Sequence, residues 1–112
     1  MKLVKDKISI AELKVMAQKM FGNLVKAVVD VEKEIMALDA PMHSDEETEL
    51  LKTGSKQENL WGINLHPDKR DEEFIEFDSI INLRPPQNRS RDVKDSKIKE
   101  KIIKIVKKMV QK

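Results

Sequence analysis

The sequence predicts a single α+β domain, with a mostly antiparallel sheet, helices packed on one face, and the order β-α-β-α-β-β-α. Three observations predict this fold. The 112 residues fit one domain, residues 1–112. Apolar residues recur at helical spacing in some segments and alternate with polar residues in others. Two alternating segments flank a short charged run, as the strands of a hairpin do.

The N-terminal part is predicted to form a short edge strand followed by a helix. Lys2–Lys5 has the composition of the edge strand. Ser9 and Glu12 then form a capping-box pair, in which each side chain covers a free backbone N–H at a helix start. The helix spans about residues 10–21. Gly22 ends it, since glycine adopts the left-handed conformation at little cost.

The next two elements are predicted to be a strand and a short helix. Residues 24–38 fit both a helical stripe and one face of a strand. The cluster of valines and the lack of an N-cap residue favour the strand. Ser44 and Glu47 repeat the capping-box pattern, so a second helix is predicted over about 45–53, ending at Gly54.

The C-terminal part is predicted to hold a hairpin, a loop and a helix. Strands are expected at about 59–65 and 73–84, on either side of the charged turn. Two prolines make residues 85–95 a loop. Asp95 is the predicted cap of the last helix. The buried stripe of that helix is predicted to consist of Ile98, Ile102, Ile105 and Met109.

Composition excludes several classes of function. The chain has no cysteine, which excludes disulfides, cysteine zinc sites and a cysteine nucleophile, and a cytoplasmic location follows most simply. No apolar run is long enough for a membrane span or a signal peptide, so no membrane partner is expected. The glycines at 22, 54 and 62 are too far apart for a nucleotide-binding loop. No cofactor is therefore expected.

Polar residues of the predicted hairpin would share one sheet face, because strand residues two apart point the same way. An antiparallel sheet usually turns a charged face to water, and that interpretation is favoured over a ligand site here. Trp61 alternates in phase with Ile63 and Leu65, so it is predicted to pack in the core. The polar face would carry Asn64, His66, Glu76, Asp78, Asn82 and Arg84.

Two further segments could carry chemistry. His43 lies near Asp45 and Glu46, and a histidine beside carboxylates is what a zinc or manganese site requires. Spacing alone does not define metal geometry, so no metal is expected there. Residues 84–91, here called the arginine loop, lead into a helix start, whose free N–H groups attract anions. A loop held by its own hydrogen bonds, with Arg84 paired to a sheet carboxylate, is the equal alternative.

Three short motifs occur together in this sequence: Gly54-Ser55-Lys56-Gln57, Trp61-Gly62-x-Asn64, and Asn82-x-Arg84-Pro85 with Asn88-Arg89-Ser90. With these motifs, the chain from Ile8 to Met109 resembles a family of small microbial proteins known only as a domain of unknown function. The resemblance implies a fold and a set of motif positions but no reaction. The family commonly has a glycine after the glutamine of the last motif, where this chain has Gln87 followed directly by Asn88.

The sequence therefore predicts a small binding domain that recognises an anionic small molecule or phosphate group. Amides and arginines donate hydrogen bonds but supply no base or nucleophile. Opposite charges in residues 30–49 and 84–112 would also allow a homo-oligomer. One alternative is a metal-dependent hydrolase using His43, Asp45 and carboxylates of the 27–37 strand; another is nucleic-acid binding by the basic C-terminal helix. The predicted ligand-binding residues are Arg84, Gln87, Asn88, Arg89, Ser90 and Asn64.

Overall fold

The structure is a computed structural model that describes residues 1–111. Lys112, the last lysine of the basic segment, lies outside the described residues. The helices and strands follow in chain order: β1 (Lys2–Val4), β2 (Ile8–Ser9), α1 (Ile10–Met20), β3 (Val25–Asp30), β4 (Ile35–Leu38), α2 (His43–Lys52), β5 (Leu60–Leu65), β6 (Ile75–Glu76), α3 (Ser96–Met109) and β7 (Val110–Gln111).

Five of the strands form one antiparallel sheet in the order β1-β4-β3-β5-β6. The two short strands β2 and β7 pair in parallel outside it, which joins the start of α1 to the end of α3. The predicted α+β class with a mostly antiparallel sheet is confirmed. Asn64 pairs with Glu76 and Leu65 with Ile75, so the predicted hairpin between the fifth and sixth strands is also present.

The helices are divided between the two faces of the sheet. α1 and α3 cover the face that carries Ala27, Val29 and Ile63, here called the α1/α3 face. α2 covers the opposite face, the α2 face, where its Leu50 packs with Val28. All helices were predicted to pack on one face of the sheet, and only α2 departs from this arrangement. The physical reason is that β3 and β5 are buried on both sides, with Val28 and Leu60 adding apolar surface to the second side, so both sides need a cover.

The segment predicted as one strand over residues 24–38 is instead a hairpin, and the single-strand prediction is wrong. β3 ends at Asp30, whose carboxylate accepts hydrogen bonds from the backbone N–H groups of Glu32 and Lys33, both at 2.9 Å. This Asx turn reverses the chain, and Glu34 completes it with a φ of 55°. Side-chain hydrogen bonding at the turn therefore outweighs the continuous apolar pattern.

One of the two predicted capping boxes is present. Ser9 Oγ accepts a hydrogen bond from the backbone N–H of Glu12 at 3.0 Å and starts α1 as predicted. α2 begins earlier than predicted, at His43, and its N-cap residue Met42 makes no side-chain capping bond. The predicted capping role of Ser44 is therefore wrong, because the helix has already begun there.

The strand predicted over residues 73–84 is much shorter than expected. β6 ends at Glu76, and Ser79 then caps a 3-10 turn over Ile80–Asn82. The predicted common face for its apolar residues is wrong. Phe77 packs into the α1/α3 core and Ile81 into the α2 core, while Leu83 is exposed.

Side chains replace the missing strand beside β5. The Asn82 carboxamide accepts from Gly62 N at 2.8 Å through Oδ1 and donates to Gly62 O at 2.9 Å through Nδ2. It thereby makes the two bonds that a neighbouring strand would make. The edge of β5 is thus satisfied without β6, which leaves the chain free to turn away.

The last helix follows the prediction closely. Asp95 caps α3, and Ile102, Ile105 and Met109 are buried, with Ile98 partly buried. Trp61 lies in the α1/α3 core with Ile63 and Leu65, as the alternation predicts. Over residues 1–111, no helix combines the length and apolar character needed to cross a membrane.

Candidate functional site

Arg84 is anchored to the edge of the sheet. Its guanidinium donates from Nη1 to the carbonyl oxygen of Gln57 at 3.1 Å, and from Nη2 to those of Leu60 and Ile81. It also stacks on the Trp61 ring, 4.0 Å from the centroid. Burial lowers the pKa of Arg84, but an arginine stays charged at neutral pH. Backbone carbonyls, and no sheet carboxylate, are therefore its hydrogen-bond partners, so Arg84 fixes the start of the arginine loop.

Asn88 holds the middle of the arginine loop from inside. Its side chain is buried, and Nδ2 donates to the carbonyl oxygens of Asn82 at 2.8 Å and Asp92 at 2.7 Å. Its Oδ1 accepts from the backbone N–H of Lys94 at 3.1 Å. The backbones of Asn88 and Arg84 also bond to each other, at 2.8 and 3.1 Å. The loop is therefore closed on itself with a fixed shape.

The remaining predicted residues of the loop divide into two kinds. Ser90 Oγ accepts from the backbone N–H of Asp92 at 2.9 Å, so it also maintains the loop. Gln87 and Arg89 are exposed at the tip. Arg91 Nε donates to an Asp78 carboxylate oxygen at 2.6 Å, an exposed pair. Gln87 and Arg89 are thus the predicted loop residues whose side chains face outward.

The start of α3 is already occupied by a negative charge. One carboxylate oxygen of Asp95 accepts from the backbone N–H groups of Lys97 at 2.8 Å and Ile98 at 3.2 Å. These are the groups that were expected to attract a ligand anion. An external anion would have to displace Asp95, so the start of α3 contributes little to anion binding at the arginine loop.

Asn64, the sixth predicted residue, lies away from the loop in a row across the α2 face. Its register partners are Lys26 on β3 and Glu76 on β6, so these three side chains form what we call the polar row. Asn64 Nδ2 donates to Glu76 Oε1 at 3.1 Å. His66 Nε2 contacts the same oxygen at 3.0 Å, and this hydrogen bond lowers the pKa of Glu76. Asn64 Oδ1 is buried without a partner.

His43 covers the polar row from the first turn of α2. Its Nε2 lies 2.7 Å from the carbonyl oxygen of Ile63, so this nitrogen must carry the hydrogen and donate. Burial lowers the pKa of His43. Lys26 and Arg91 lower it further, while the Ile63 carbonyl and Asp78 act in the opposite direction. The ring is therefore neutral at physiological pH, with its lone pair on Nδ1.

Glu46 lies one turn further along α2 and is fully buried. Burial raises the pKa of Glu46 to about 10, so the side chain is a neutral carboxylic acid at physiological pH. Oε2 accepts from the backbone N–H of Ala40 at 3.1 Å, while Oε1 has no partner. A second unpartnered polar atom is thus buried between α2 and the sheet.

The residues proposed for a metal-dependent hydrolase do not converge. His43 points toward the sheet, whereas Asp45 is exposed on the other side of α2. Asp30 is buried, and its other carboxylate oxygen accepts from Ser55 Oγ at 2.6 Å. Within residues 1–111, histidine, aspartate and glutamate side chains form no group of three that could hold a metal ion.

The basic helix presents a row of exposed lysines. Lys97, Lys101, Lys104 and Lys108 lie on one side of α3 and line a shallow groove of about 390 Å³. Lys108 pairs with Glu34 at 3.7 Å, which brings the acidic and basic segments together at an exposed point. The other three lysines of this row form no ion pair within the described part of the chain.

Sequence reasoning missed Lys26, and it considered Glu46 only as a possible metal-site neighbour of His43. Two signals were available in the sequence. Lys26 is a charged residue among the apolar residues of β3, and Glu46 follows His43 by three residues, on the same side of a helix. Neither signal shows which side of the element is covered. The position of α2 over the sheet gives both residues their environment.

Comparison with known proteins places the chain in a family without a known activity. The model of the family described as "Protein of unknown function (DUF5674)" matches residues 2–109. This match confirms the resemblance predicted from the sequence. No curated protein and no solved structure matches the chain.

Proposed function

The chain belongs to the DUF5674 family of proteins of unknown function, and we propose that it is a non-catalytic binding domain that recognises an anionic group through Gln87 and Arg89. One observation carries the proposal. The buried Asn88 and the partly buried Arg84 fix the shape of the arginine loop. The tip of this loop exposes the Gln87 carboxamide and the Arg89 guanidinium. Binding residues are frequently found on loops held by a rigid scaffold.

The chemistry of the tip suits an oxyanion. A guanidinium donates two parallel N–H bonds to a carboxylate or phosphate, and the Gln87 carboxamide adds a neutral donor beside it. Because Asn88 and Arg84 already hold the backbone, little backbone conformational entropy is lost when the ligand binds. The tip contains no base or nucleophile, which favours binding over catalysis. We place the domain in the cytoplasm, since the chain has no cysteine.

The test is a thermal-shift titration with inorganic phosphate at constant ionic strength. We expect phosphate to raise the Tm of the wild type, because a ligand that binds the folded state alone stabilises it. Arg89→Ala should remove most of this rise, and Gln87→Ala part of it. Arg70→Ala, which removes an exposed arginine elsewhere, is the matched control and should respond as the wild type does. An unchanged response in Arg89→Ala would overturn the proposal.

A second candidate is polyanion binding by the lysine row of α3, which the groove beside Lys97, Lys101 and Lys104 favours. The double variant Lys101→Gln/Lys104→Gln in the same titration separates the two candidates. If this variant loses the phosphate effect while Arg89→Ala keeps it, the site is the lysine row. Binding of a single-stranded oligonucleotide should then weaken steeply with salt, as contacts to several phosphates require.

A further inference from the structure

The arginine loop is preceded by two exposed apolar side chains on one side of the chain. Ile80 is 59% exposed and Leu83 is 43% exposed. The backbone N–H of Leu83 donates to the carbonyl oxygen of Ile80 at 3.1 Å, which closes the 3-10 turn. Side chains three residues apart in a 3-10 turn point the same way. Ile81, between them, packs into the α2 core, so Ile80 and Leu83 adjoin each other on the outer side of the turn.

The arginine loop continues this apolar surface and adds a charge to it. Arg84 and Asn88 pair as an antiparallel bridge, and their side chains turn inward. Side chains alternate along paired segments, so the next pair in the register, Leu83 and Arg89, points outward, and both are exposed. Register partners lie roughly 4.5 to 5.5 Å apart at Cβ. The Arg89 guanidinium therefore borders the apolar pair.

The charge of Arg89 is not neutralised by the protein. Arg89 belongs to none of the ion pairs within residues 1–111. Arg91, two residues further on, pairs with Asp78 at 2.6 Å. Glu47 lies close enough to Arg84 to act on its charge. Two acids of this region thus already face other arginines, and Arg89 is left to a group from outside the chain.

The shape and composition of this surface suit a protein partner more than a small molecule. Small ligands bind in concave sites, and residues 80–91 line neither the pocket at residues 68–73 nor the groove beside α3. Pro85 and Pro86 are exposed, widen the apolar area and restrict its backbone, which lowers the entropic cost of docking. Arginine beside apolar side chains is typical of protein interfaces. A twofold dimer through this surface would bring two Arg89 side chains together, which disfavours a second copy.

From this juxtaposition we propose that residues 80–89, here called the docking surface, bind a segment of another protein in which an acidic side chain lies between apolar side chains. This inference rests on the proposed function, because it places the anionic group of that function on a polypeptide. The carboxylate accepts two parallel N–H bonds from the Arg89 guanidinium. The neighbouring apolar side chains pack on Ile80 and Leu83 and remove their exposed surface from water.

A nuclear magnetic resonance titration of the ¹⁵N-labelled protein tests the proposal with three peptides that are acetylated and amidated at their ends. The first is Ser-Leu-Glu-Leu-Ser, the second has glutamine in place of glutamate, and the third has alanine in place of both leucines. We expect the first peptide to shift the amide signals of residues 80–91. It should bind about fivefold more tightly than the glutamine peptide and about tenfold more tightly than the alanine peptide. Equal affinity for the leucine and alanine peptides would overturn the proposal.

Variants separate this inference from the proposed function. Leu83→Ser should weaken binding of the leucine peptide about fivefold and keep the phosphate effect on Tm, whereas Arg89→Ala should lose both. Val15→Ser changes an apolar residue that is 58% exposed on α1, and it is the matched control that should bind as the wild type does. If Leu83→Ser does not fold, Ile80→Ser takes its place.

The outcomes that contradict the inference differ from those that contradict the proposed function. If the wild type shows no phosphate effect, the proposed function fails and this inference fails with it. If the phosphate effect stands but Leu83→Ser binds the leucine peptide undiminished, this inference alone fails. Signals of residues 80–91 that shift with protein concentration in the absence of peptide would show that a second copy occupies the docking surface, which would also overturn the inference.

Discussion

The two faces of the sheet are built from the same strands but differ in chemistry. On the α1/α3 face, β3 contributes Val25, Ala27 and Val29, and the helices covering them add only apolar side chains to the core. On the α2 face, Val28 and Leu50 form an apolar half, while the other half holds the polar row under His43 and Glu46. One face is thus an apolar core, and the other combines packing with a cluster of ionisable groups.

This contrast shows where polar groups can be buried in a small domain. A chain of this size buries a limited apolar area, so polar groups cannot be buried widely. Here His43, Glu46 and Asn64 are buried on half of one face, where α2 shields them from water, while the opposite face supplies the packing. The contrast can be tested by substitutions on each face.

The largest effect is expected on the α1/α3 face, from Ile102→Ala. Ile102 is fully buried on α3, so the substitution leaves a cavity and should cost about 2 to 5 kcal/mol of unfolding free energy. Urea unfolding followed by circular dichroism measures the loss. Val15→Ala, on the exposed side of α1, is the control and should cost under about 0.5 kcal/mol. A loss below about 1 kcal/mol for Ile102→Ala would contradict a tightly packed face.

A pH-dependent effect is expected on the α2 face, from Glu46→Gln. The pKa of Glu46 is about 10 in the folded state against an ordinary value of 4.5, so the folded protein retains a proton that the unfolded chain loses. The contribution of Glu46 to wild-type stability therefore falls as pH rises from about 4.5 toward 10. Glu46→Gln lacks this loss and keeps the acceptor for Ala40. Its advantage should be near zero at pH 4 and grow by at most about 1.4 kcal/mol per pH unit.

Urea unfolding of Glu46→Gln and the wild type at pH 4.5, 6 and 7.5 measures this difference. Glu49→Gln, on a less buried part of α2, controls for the loss of a carboxylate from the helix. A difference between Glu46→Gln and the wild type that does not change with pH would show that Glu46 is ionised in the folded protein.

A smaller effect is expected where the α2 face allows no side chain, from Gly62→Ala. An added Cβ at Gly62 would overlap the Ser79 side chain and lie 3.2 Å from Ile81 Cγ1. Overpacking of this kind costs about 1 to 3 kcal/mol. If the Ser79 contact is the cause, the double variant Gly62→Ala/Ser79→Gly should be more stable than the sum of the single losses predicts. Additive losses would contradict it.

The α1/α3 face was predictable from the sequence, whereas most of the α2 face was not. The alternation of Trp61, Ile63 and Leu65 and the caps Ser9 and Asp95 are local patterns, and each produced the predicted structure. The turn after Asp30 was missed because the valines of β3 continue the apolar pattern up to it. Local patterns identify an element, but they do not show which face another helix will cover.

The candidate sites show the same limit. The sequence grouped Arg84, Asn88 and Ser90 with Gln87 and Arg89, because all five are polar and close in the chain. The first three turn inward to backbone partners, which depends on contacts with the edge of β5 and the start of α3. Lys26 and Asn64 are far apart in the chain and are brought together by strand register alone.

The outer edge of β5 is already hydrogen-bonded by side chains, which limits self-association through this edge. An exposed strand edge can accept a strand from another polypeptide, which is a common route to aggregation. Here the carboxamide of Asn82 occupies both hydrogen-bonding groups of Gly62, and Arg84 occupies the carbonyl of Leu60. The edge strands β1 and β6 have three and two residues. A second molecule therefore finds only short stretches of free backbone, which protects the sheet against fibril growth by strand addition.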